Sequence, residues 1–203
     1  ITFFSASVLL ALAPGPDNIF VLTQSALRGR GAGLSVVIGL CTGLIGHSSA
    51  VALGVAVIFQ TSALAFSLLK YMGAAYLLYL AWQAFFASAQ NGEADAGAAG
   101  GGSFWKLYGR GIIMNITNPK VSIFFLAFLP QFADPARGPV AVQILLLGGL
   151  FILATILVFG AIAVLAGSLG QWLSRSKRVQ NVMNKLAGTV LLGLALKLAT
   201  TKR

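Results

Sequence analysis

The stretch LLALAPGPDNIFVLTQS, residues Leu9–Ser25, is apolar enough to cross a membrane, yet its centre holds Pro14, Gly15, Pro16 and Asp17. Prolines remove backbone donors and clash with the preceding turn, so a continuous helix is not expected here. In hydrocarbon, a freed carbonyl is tolerated only where it is buried in protein or lines a wet cavity. A carboxylate at the bilayer centre costs a further ~2.5–3.5 kcal/mol. The stretch therefore predicts a broken helix at a substrate site.

The composition of the whole chain indicates an integral membrane protein. Hydrophobic residues make up 58% of the 203 positions, charged residues make up 9%, and the mean hydropathy is +0.89. A soluble domain of this length would carry far more surface charge. The net charge of +10 would favour a nucleic-acid partner in a soluble protein. Here the basic residues mostly lie between apolar runs, which indicates membrane topology instead, and no nucleic acid is expected.

The sequence carries no pattern typical of an enzyme or a metal protein. It contains no HExxH, GxSxG, P-loop or dinucleotide fingerprint. Its single cysteine, Cys41, lies inside an apolar run, which excludes an intrachain disulfide and argues against a thiolate metal cluster. We therefore expect no catalytic residue, no metal and no cofactor.

Six apolar segments are candidates for membrane spans, each of which needs about 20 residues. The predicted spans are Ile1–Ala26, Leu34–Phe59, Leu64–Phe86, Gly111–Phe132, Val140–Leu169 and Leu186–Ala199. The last is short, and Lys197 within it must extend towards the interface. These segments predict an all-α integral membrane protein with six transmembrane helices.

Basic residues in the loops orient these helices. The second loop has none, and the fourth has Arg137 facing Asp134. The others fall in the first, third and fifth loops: Arg28, Arg30, Lys106, Arg110, Arg175, Lys177, Arg178 and Lys185. The positive-inside rule then places the odd-numbered loops in the cytoplasm and both termini outside. Lys202 and Arg203 in the tail favour the opposite orientation but are outnumbered.

The third loop divides the chain into two halves. Residues 87–103 read ASAQNGEADAGAAGGGS, a composition that cannot bury enough apolar surface to order itself. We predict a three-helix unit over residues 1–86, a flexible cytoplasmic linker over residues 87–110, and a second three-helix unit over residues 111–203. Because three is an odd number of spans, two units of the same fold must be inverted repeats.

The second half has a proline motif at the corresponding place. TNPK, residues Thr117–Lys120, interrupts its first span as PGPD interrupts the first span of the other half. The first helix of each repeat is therefore predicted to break, and the breaks carry opposite charges, Asp17 and Lys120. The pair is either functional or a buried salt bridge that only locks the fold, in which case losing one partner impairs folding.

Polar side chains beside the breaks extend the candidate site. Asn18 follows the first break, and Asn115 and Asn118 flank the second, before Pro119. An asparagine can satisfy freed backbone groups or bind a substrate, and the sequence leaves both roles open. His47 lies mid-span with a titration range suited to proton handling, although an interhelical histidine with satisfied hydrogen bonds is at least as common.

Small residues predict close packing between helices. Gly39 and Gly43 form a GxxxG pattern. The same face continues through Gly46, Ser48 and Ser49, and Gly148 and Gly149 offer a similar surface in the fifth span. Such small faces let helix backbones approach each other in membranes.

Three segments resemble a known family. LALAPGPDNIFVLTQSALRGRGAGLSVVIGLCTGLIGH resembles the amino-terminal signature of the LysE/RhtB amino-acid exporters of bacteria. KYMGAAYLLYLAW resembles the third span of that family, and GIIMNITNPKVSIFFLAFLPQF resembles its second signature. The similarity covers nearly the whole chain, and two proline motifs in this order are quite specific.

The resemblance implies a six-span exporter of the bacterial inner membrane, driven by the proton-motive force, for small amino acids or their derivatives. The PGPDN form is closer to the homoserine/threonine branch, which favours a small neutral amino acid. The family's motif residues fall on Pro14, Gly15, Pro16, Asp17, His47, Asn118, Pro119 and Lys120. The predicted substrate site consists of these motif residues without His47, together with Asn18 and Asn115.

A mechanism follows from the charges. Asp17 would take the substrate's ammonium, and Lys120, with backbone donors at a half-helix start, would take its carboxylate. Because this zwitterion is neutral overall, the energy must come from proton exchange, carried by Asp17 or His47, while the two halves rock about the site. The expected partners are the amino acid, protons and membrane lipid, and a homo-oligomer is left open.

Two other classes of protein are alternatives to an exporter. A channel-like or structural membrane protein would use Asp17 and Lys120 only as a clamp on the fold. An intramembrane enzyme is disfavoured because no catalytic constellation is present.

Overall fold

The computed structural model describes residues 2–13, 15–61, 63–86, 103–175 and 177–200, which form helices and no strand. The first half contains α1 (Thr2–Leu12), α2 (Pro16–Arg28), α3 (Arg30–Thr61) and α4 (Ala63–Phe86). The second half contains α5 (Phe104–Thr117), α6 (Pro119–Ile123), α7 (Val140–Arg175) and α8 (Lys177–Thr200). Pro14, residues 87–102 of the predicted linker, and the basic tail lie outside the described residues.

The predicted break in the first span is present. The axes of α1 and α2 differ by 61°. Pro16 occupies the first turn of α2, where a missing N–H costs nothing, and Gly15 before it is extended. At the other end of α2, Gly29 has a φ of 85°, which lets the chain turn directly into α3 and favours glycine.

The second break is present as well. The axes on either side of Asn118 differ by 52°. Asn118 caps α6, because its Oδ1 accepts a hydrogen bond from the backbone N–H of Lys120 at 3.0 Å. The helix continues through a π-helical turn, Phe124–Phe128, and a 3-10 turn, Leu129–Phe132.

The start of α5 corrects the predicted linker. Residues 104–110, which we assigned to a flexible segment ending at Arg110, are helical. The reason is packing: Leu107 is buried in an apolar cluster with Val36 and Leu40 of α3, so this turn has a tertiary partner that composition does not reveal.

The two halves share their order of elements. Each has a bent helix pair, then a long helix, then a helix of 24 residues. Among the described residues, Arg30–Gly54 and Val140–Ala166 are each long and apolar enough to cross a membrane, and each bent pair passes the same test as one span. That makes two to four spans, so six spans and inverted symmetry stay predictions.

The predicted glycine face brings helices α3 and α5 into close contact. A Cβ on Gly39 would overlap the carbonyl oxygen of Tyr108, and a Cβ on Gly111 would lie 2.5 Å from that of Val36. Gly148 of α7 likewise faces Ser48 of α3. These contacts confirm the packing role at Gly39 and Gly148. Gly46 and Gly149 differ, because no described atom lies within 4 Å of the place that a Cβ would take on either residue.

The main apolar core forms around the second break. Phe124, Phe125 and Phe128 are fully buried, and the rings of Phe124 and Phe125 lie 5.2 and 5.1 Å from that of Phe151 in α7. Outward-facing apolar side chains that are more than half exposed include Leu53, Met72, Leu146, Leu157 and Leu186. So much exposed apolar surface is expected where lipid, not water, surrounds the protein.

Candidate functional site

The two proline motifs, 101 residues apart along the chain, meet in space. The amide Nδ2 of Asn118 donates to Oδ2 of Asp17 at 3.0 Å. The ammonium of Lys120 donates to the carbonyl oxygens of Ala13 at 3.0 Å and Leu10 at 3.4 Å. Each break therefore supplies hydrogen-bond partners to the other.

Proline chemistry explains why the Lys120 ammonium is held at the end of α1. In a continuous helix the carbonyl of Leu10 would accept from residue 14, but Pro14 has no N–H. The carbonyl of Ala13 loses its partner at the break itself. A cation is favoured at a helix C-terminus because the unsatisfied carbonyls carry partial negative charge. Lys120 thus caps α1 across the interface between the two motifs.

Asn18 makes a similar contact within the first motif. Its Nδ2 donates to the carbonyl oxygen of Ala11 at 2.7 Å. Of the two roles that the sequence leaves open for the asparagines, the satisfaction of freed backbone groups is present at Asn18 and, through its cap on α6, at Asn118.

The direct salt bridge between Asp17 and Lys120 is not formed in this structure. The carboxylate takes the Asn118 amide and the ammonium takes backbone carbonyls, although their charges are near enough to interact. The carbonyls freed at the end of α1 compete with Asp17 for the ammonium of Lys120. The charges alone suggested a direct pair because they do not reveal this competition. A fold-locking clamp would therefore act through Asn118 and the carbonyls of α1, and not through direct contact of the two charges.

The remaining motif residues shape the backbone around these contacts. A Cβ on Gly15 would lie 3.1 Å from Nζ of Lys120, so the glycine makes room for the ammonium. Pro16 and Pro119 begin α2 and α6 and are exposed. They set where the helices start, and they present no polar side-chain atom to a ligand.

Three buried acceptors at this site have no hydrogen-bond partner. They are the Oδ1 atoms of Asp17, Asn18 and Asn115. An unsatisfied buried polar atom costs about 1–3 kcal/mol, so three together are unusual for a purely structural cluster. No group of three or more His, Cys, Asp or Glu side chains is close enough to hold a metal ion within the described ranges. Of these atoms, the carboxylate oxygen of Asp17 is the one suited to a cationic N–H donor.

His47 of α3 reaches the site through the backbone of the second break. Its Nε2 lies 3.2 Å from the carbonyl oxygen of Asn115, and its ring packs 5.6 Å from that of Phe125. Asn115 loses its usual helical partner because residue 119 is a proline. His47 contacts neither charged residue directly in the described hydrogen bonds.

Two further buried polar side chains were missed or undervalued from the sequence. Gln24 is buried, 7% exposed, and its Oε1 has no partner, yet nothing at its own position marks it. The signal was its spacing, seven residues after Asp17 and so on the same face of α2. Thr155 of α7, buried with an unpartnered Oγ1, carried no signal in the sequence.

Comparisons with known proteins identify the family of the chain. The family model for the LysE type translocator matches residues 8–202. The chain is 33% identical over 203 residues to the homoserine/homoserine lactone efflux protein of Salmonella typhimurium, covering 98% of this chain and 95% of that protein. It is 32% identical over 208 residues to an uncharacterized membrane protein of Vibrio cholerae, covering 100% of this chain and 97% of the relative. No solved structure gives a significant match.

These matches span almost the full length of both this chain and its relatives, so they concern the whole protein and not one segment. Translocators are transporters, which confirms that the chain is not an enzyme. The two proline motifs and the match over residues 8–202 show that the chain belongs to the family of LysE type translocators.

Proposed function

We propose that this protein is a secondary transporter of the bacterial inner membrane that exports a small neutral amino acid, such as threonine or homoserine, in exchange for protons. The observation that carries the proposal is the buried carboxylate of Asp17, whose Oδ1 has no hydrogen-bond partner. An amino acid's ammonium offers N–H donors and a positive charge, which suit an unpartnered carboxylate oxygen. Relatives that are efflux proteins for homoserine and its lactone support the direction and the class of substrate.

Asp17 is the main recognition group in this proposal. Homoserine and homoserine lactone share the ammonium, but only the free acid has a carboxylate, so a site that serves both must rely on the ammonium. Lys120 gives two of its three N–H groups to carbonyls of α1. Its third N–H and its charge are left for the carboxylate of a free amino acid.

Proton exchange supplies the driving force, since the substrate is neutral overall. Asp17 carries the proton when the ammonium leaves, because a lone buried carboxylate is expensive in a membrane. His47 is the second candidate, and its contact with the Asn115 carbonyl links it to the same break. The two halves rock about this site to alternate access.

Transport against a gradient separates an exporter from a channel-like or structural protein. In inside-out vesicles with an acidic lumen, the protein should accumulate labelled L-homoserine or L-threonine above the outside concentration. Collapse of the pH gradient should release the excess. A channel would bring the concentrations to equality and no further, and that result would reject the proposal.

The site assignment is tested with Asp17→Asn. The amide keeps the size of the side chain and an acceptor for Asn118, so the protein should still insert and purify. Loss of the charged acceptor removes about 1.5–3 kcal/mol of ammonium binding, which lowers transport roughly 10- to 150-fold. Asp134→Asn, which removes an exposed carboxylate paired with Arg137, is the matched control and should transport normally. Normal transport by Asp17→Asn would place the substrate elsewhere.

A further inference from the structure

An open cavity of about 470 Å³ lies where α2, α3 and α5 meet. It is lined by Arg28, Gly31, Ala32, Ser35, Ser103, Phe104 and Leu107. Its volume falls in the range of roughly 300–1,000 Å³ that small-molecule sites occupy. The lining combines a cation and hydroxyl groups with an apolar wall. None of the residues around Asp17 belongs to this cavity, so it is a separate feature of the fold.

Polar side chains on one face of α2 run from the central site towards the cavity: Asp17 and Gln24 are buried, and Arg28 is exposed. Gln24 lies about two helical turns beyond Asp17, and Arg28 lies about one turn further, so the three side chains share one face of the helix. The distance along the axis from Asp17 to Arg28 is ~16 Å. Gln24, in the middle, is 7% exposed and its Oε1 has no partner.

Apolar side chains close this route in the present structure. Val21, between Asp17 and Gln24 on α2, is fully buried in a cluster with Val36 of α3 and Leu107 of α5. Leu107 also lines the cavity, so this apolar cluster extends from the cavity wall to Val21. A buried amide oxygen without a partner, on the same helix face as this apolar cluster, is the arrangement expected of a contact that is used only when the cluster opens.

We propose that the cavity is the vestibule through which the substrate amino acid reaches Asp17, and that Gln24 is the polar contact between them. Arg28 attracts the carboxylate, so the ammonium points inward and meets Oε1 of Gln24 before it reaches Oδ1 of Asp17. The cavity lies at the end of the bundle that bears Arg28, Arg30 and Lys106, the side predicted to be cytoplasmic. The proposal rests on the proposed function, since it needs Asp17 to be the ammonium site.

Substrate protection of a single cysteine tests the vestibule. Ala32→Cys, in a Cys41→Ser background, places a thiol on the cavity wall. In inside-out vesicles, saturating L-homoserine should slow the reaction of this thiol with a maleimide at least threefold. L-threonine replaces L-homoserine in the test if it is the amino acid that the vesicles accumulate. Lys106→Cys is the control: it is exposed on α5 near the same end but does not line the cavity, so its labelling rate should not change.

Gln24→Leu tests the polar contact. The leucine is close in size and removes the amide, so we expect transport to fall at least tenfold. The Kd of the detergent-purified variant for L-homoserine, measured by calorimetry, should stay within threefold of the parent protein's value because Asp17 is intact. Gln83→Leu, on the exposed surface of α4, should leave both properties unchanged.

The outcomes separate this inference from the function on which it rests. If Ala32→Cys reacts at the same rate with and without the amino acid, the cavity is not the vestibule, even if Gln24→Leu fails to fold. If Gln24→Leu folds and transports normally, Gln24 has no part in the route. Both results are compatible with an essential Asp17, whereas normal transport by Asp17→Asn overturns the proposed function itself.

Discussion

At the scale of single residues, the two breaks stabilise each other through unlike groups. Lys120 caps carbonyls of α1, and Asn118 binds the carboxylate of Asp17. The sequence predicted that Asp17 and Lys120 act together, because each follows a proline and their charges are opposite. It did not predict the pairing, since that depends on which carbonyls the prolines leave free and on where α6 approaches α1. Neither the set of free carbonyls nor the position of α6 against α1 can be read from residue types alone.

Because of this arrangement, we expect a mutation of Lys120 to lower the stability of the protein and a mutation of Asp17 to lower its transport. Lys120→Met keeps the length of the side chain but leaves the buried carbonyls of Leu10 and Ala13 without a donor. Each unsatisfied carbonyl costs about 1–3 kcal/mol, so the variant should melt several degrees lower in detergent and reach the membrane in reduced amount. Asp17→Asn, by contrast, should lose transport and keep its stability.

Lys106→Met is the matched control for this comparison. Lys106 is exposed on α5, and the same substitution there should leave the melting temperature unchanged within error. Thermal unfolding followed by circular dichroism measures all three variants. If Lys120→Met is as stable as the parent protein but cannot transport, its cap on α1 contributes little and its role is in substrate binding.

At the scale of helices, the sequence was informative wherever a local rule applied. Prolines located both breaks, and the GxxxG pattern identified a close contact, because a missing N–H and a missing side chain act at their own positions. The start of α5 could not be found in this way. Residues 104–110 follow a polar, glycine-rich stretch, and their helix is stabilised by the contact of Leu107 with α3. Such tertiary contacts override composition.

The packing of α3 on α5 predicts opposite effects for two glycines of one helix. Gly39→Ala would press a methyl group into the carbonyl oxygen of Tyr108, and the forced separation should cost about 1–3 kcal/mol. At Gly46→Ala the new methyl group meets no atom of another element within 4 Å among the described residues, and the change removes a flexible residue from a helix. It should be neutral or stabilising by up to ~1 kcal/mol. Equal melting temperatures for the two variants would show that the helices separate there at no cost.

At the scale of the whole molecule, the repeated order of elements is what an inverted repeat requires. Each half begins with a bent pair whose break carries one charge, and the two breaks meet at the centre. If the repeats are inverted, the bent pairs enter the site from opposite faces of the membrane. The vestibule at Arg28 then belongs to one face, and the turn around Asp134 belongs to the other.

That topology is tested by two cysteines at opposite ends of the bundle. In a Cys41→Ser background, Ser103→Cys precedes α5 and Ala136→Cys lies in the exposed 3-10 turn before α7. The positive-inside rule predicts that an impermeant maleimide labels Ala136→Cys in intact cells and Ser103→Cys only in inside-out vesicles. Labelling of both from one side would contradict the predicted six-span topology, in which the chain crosses the membrane once between residues 103 and 136. The reverse pattern would keep the fold and invert its orientation, moving the vestibule to the outer face.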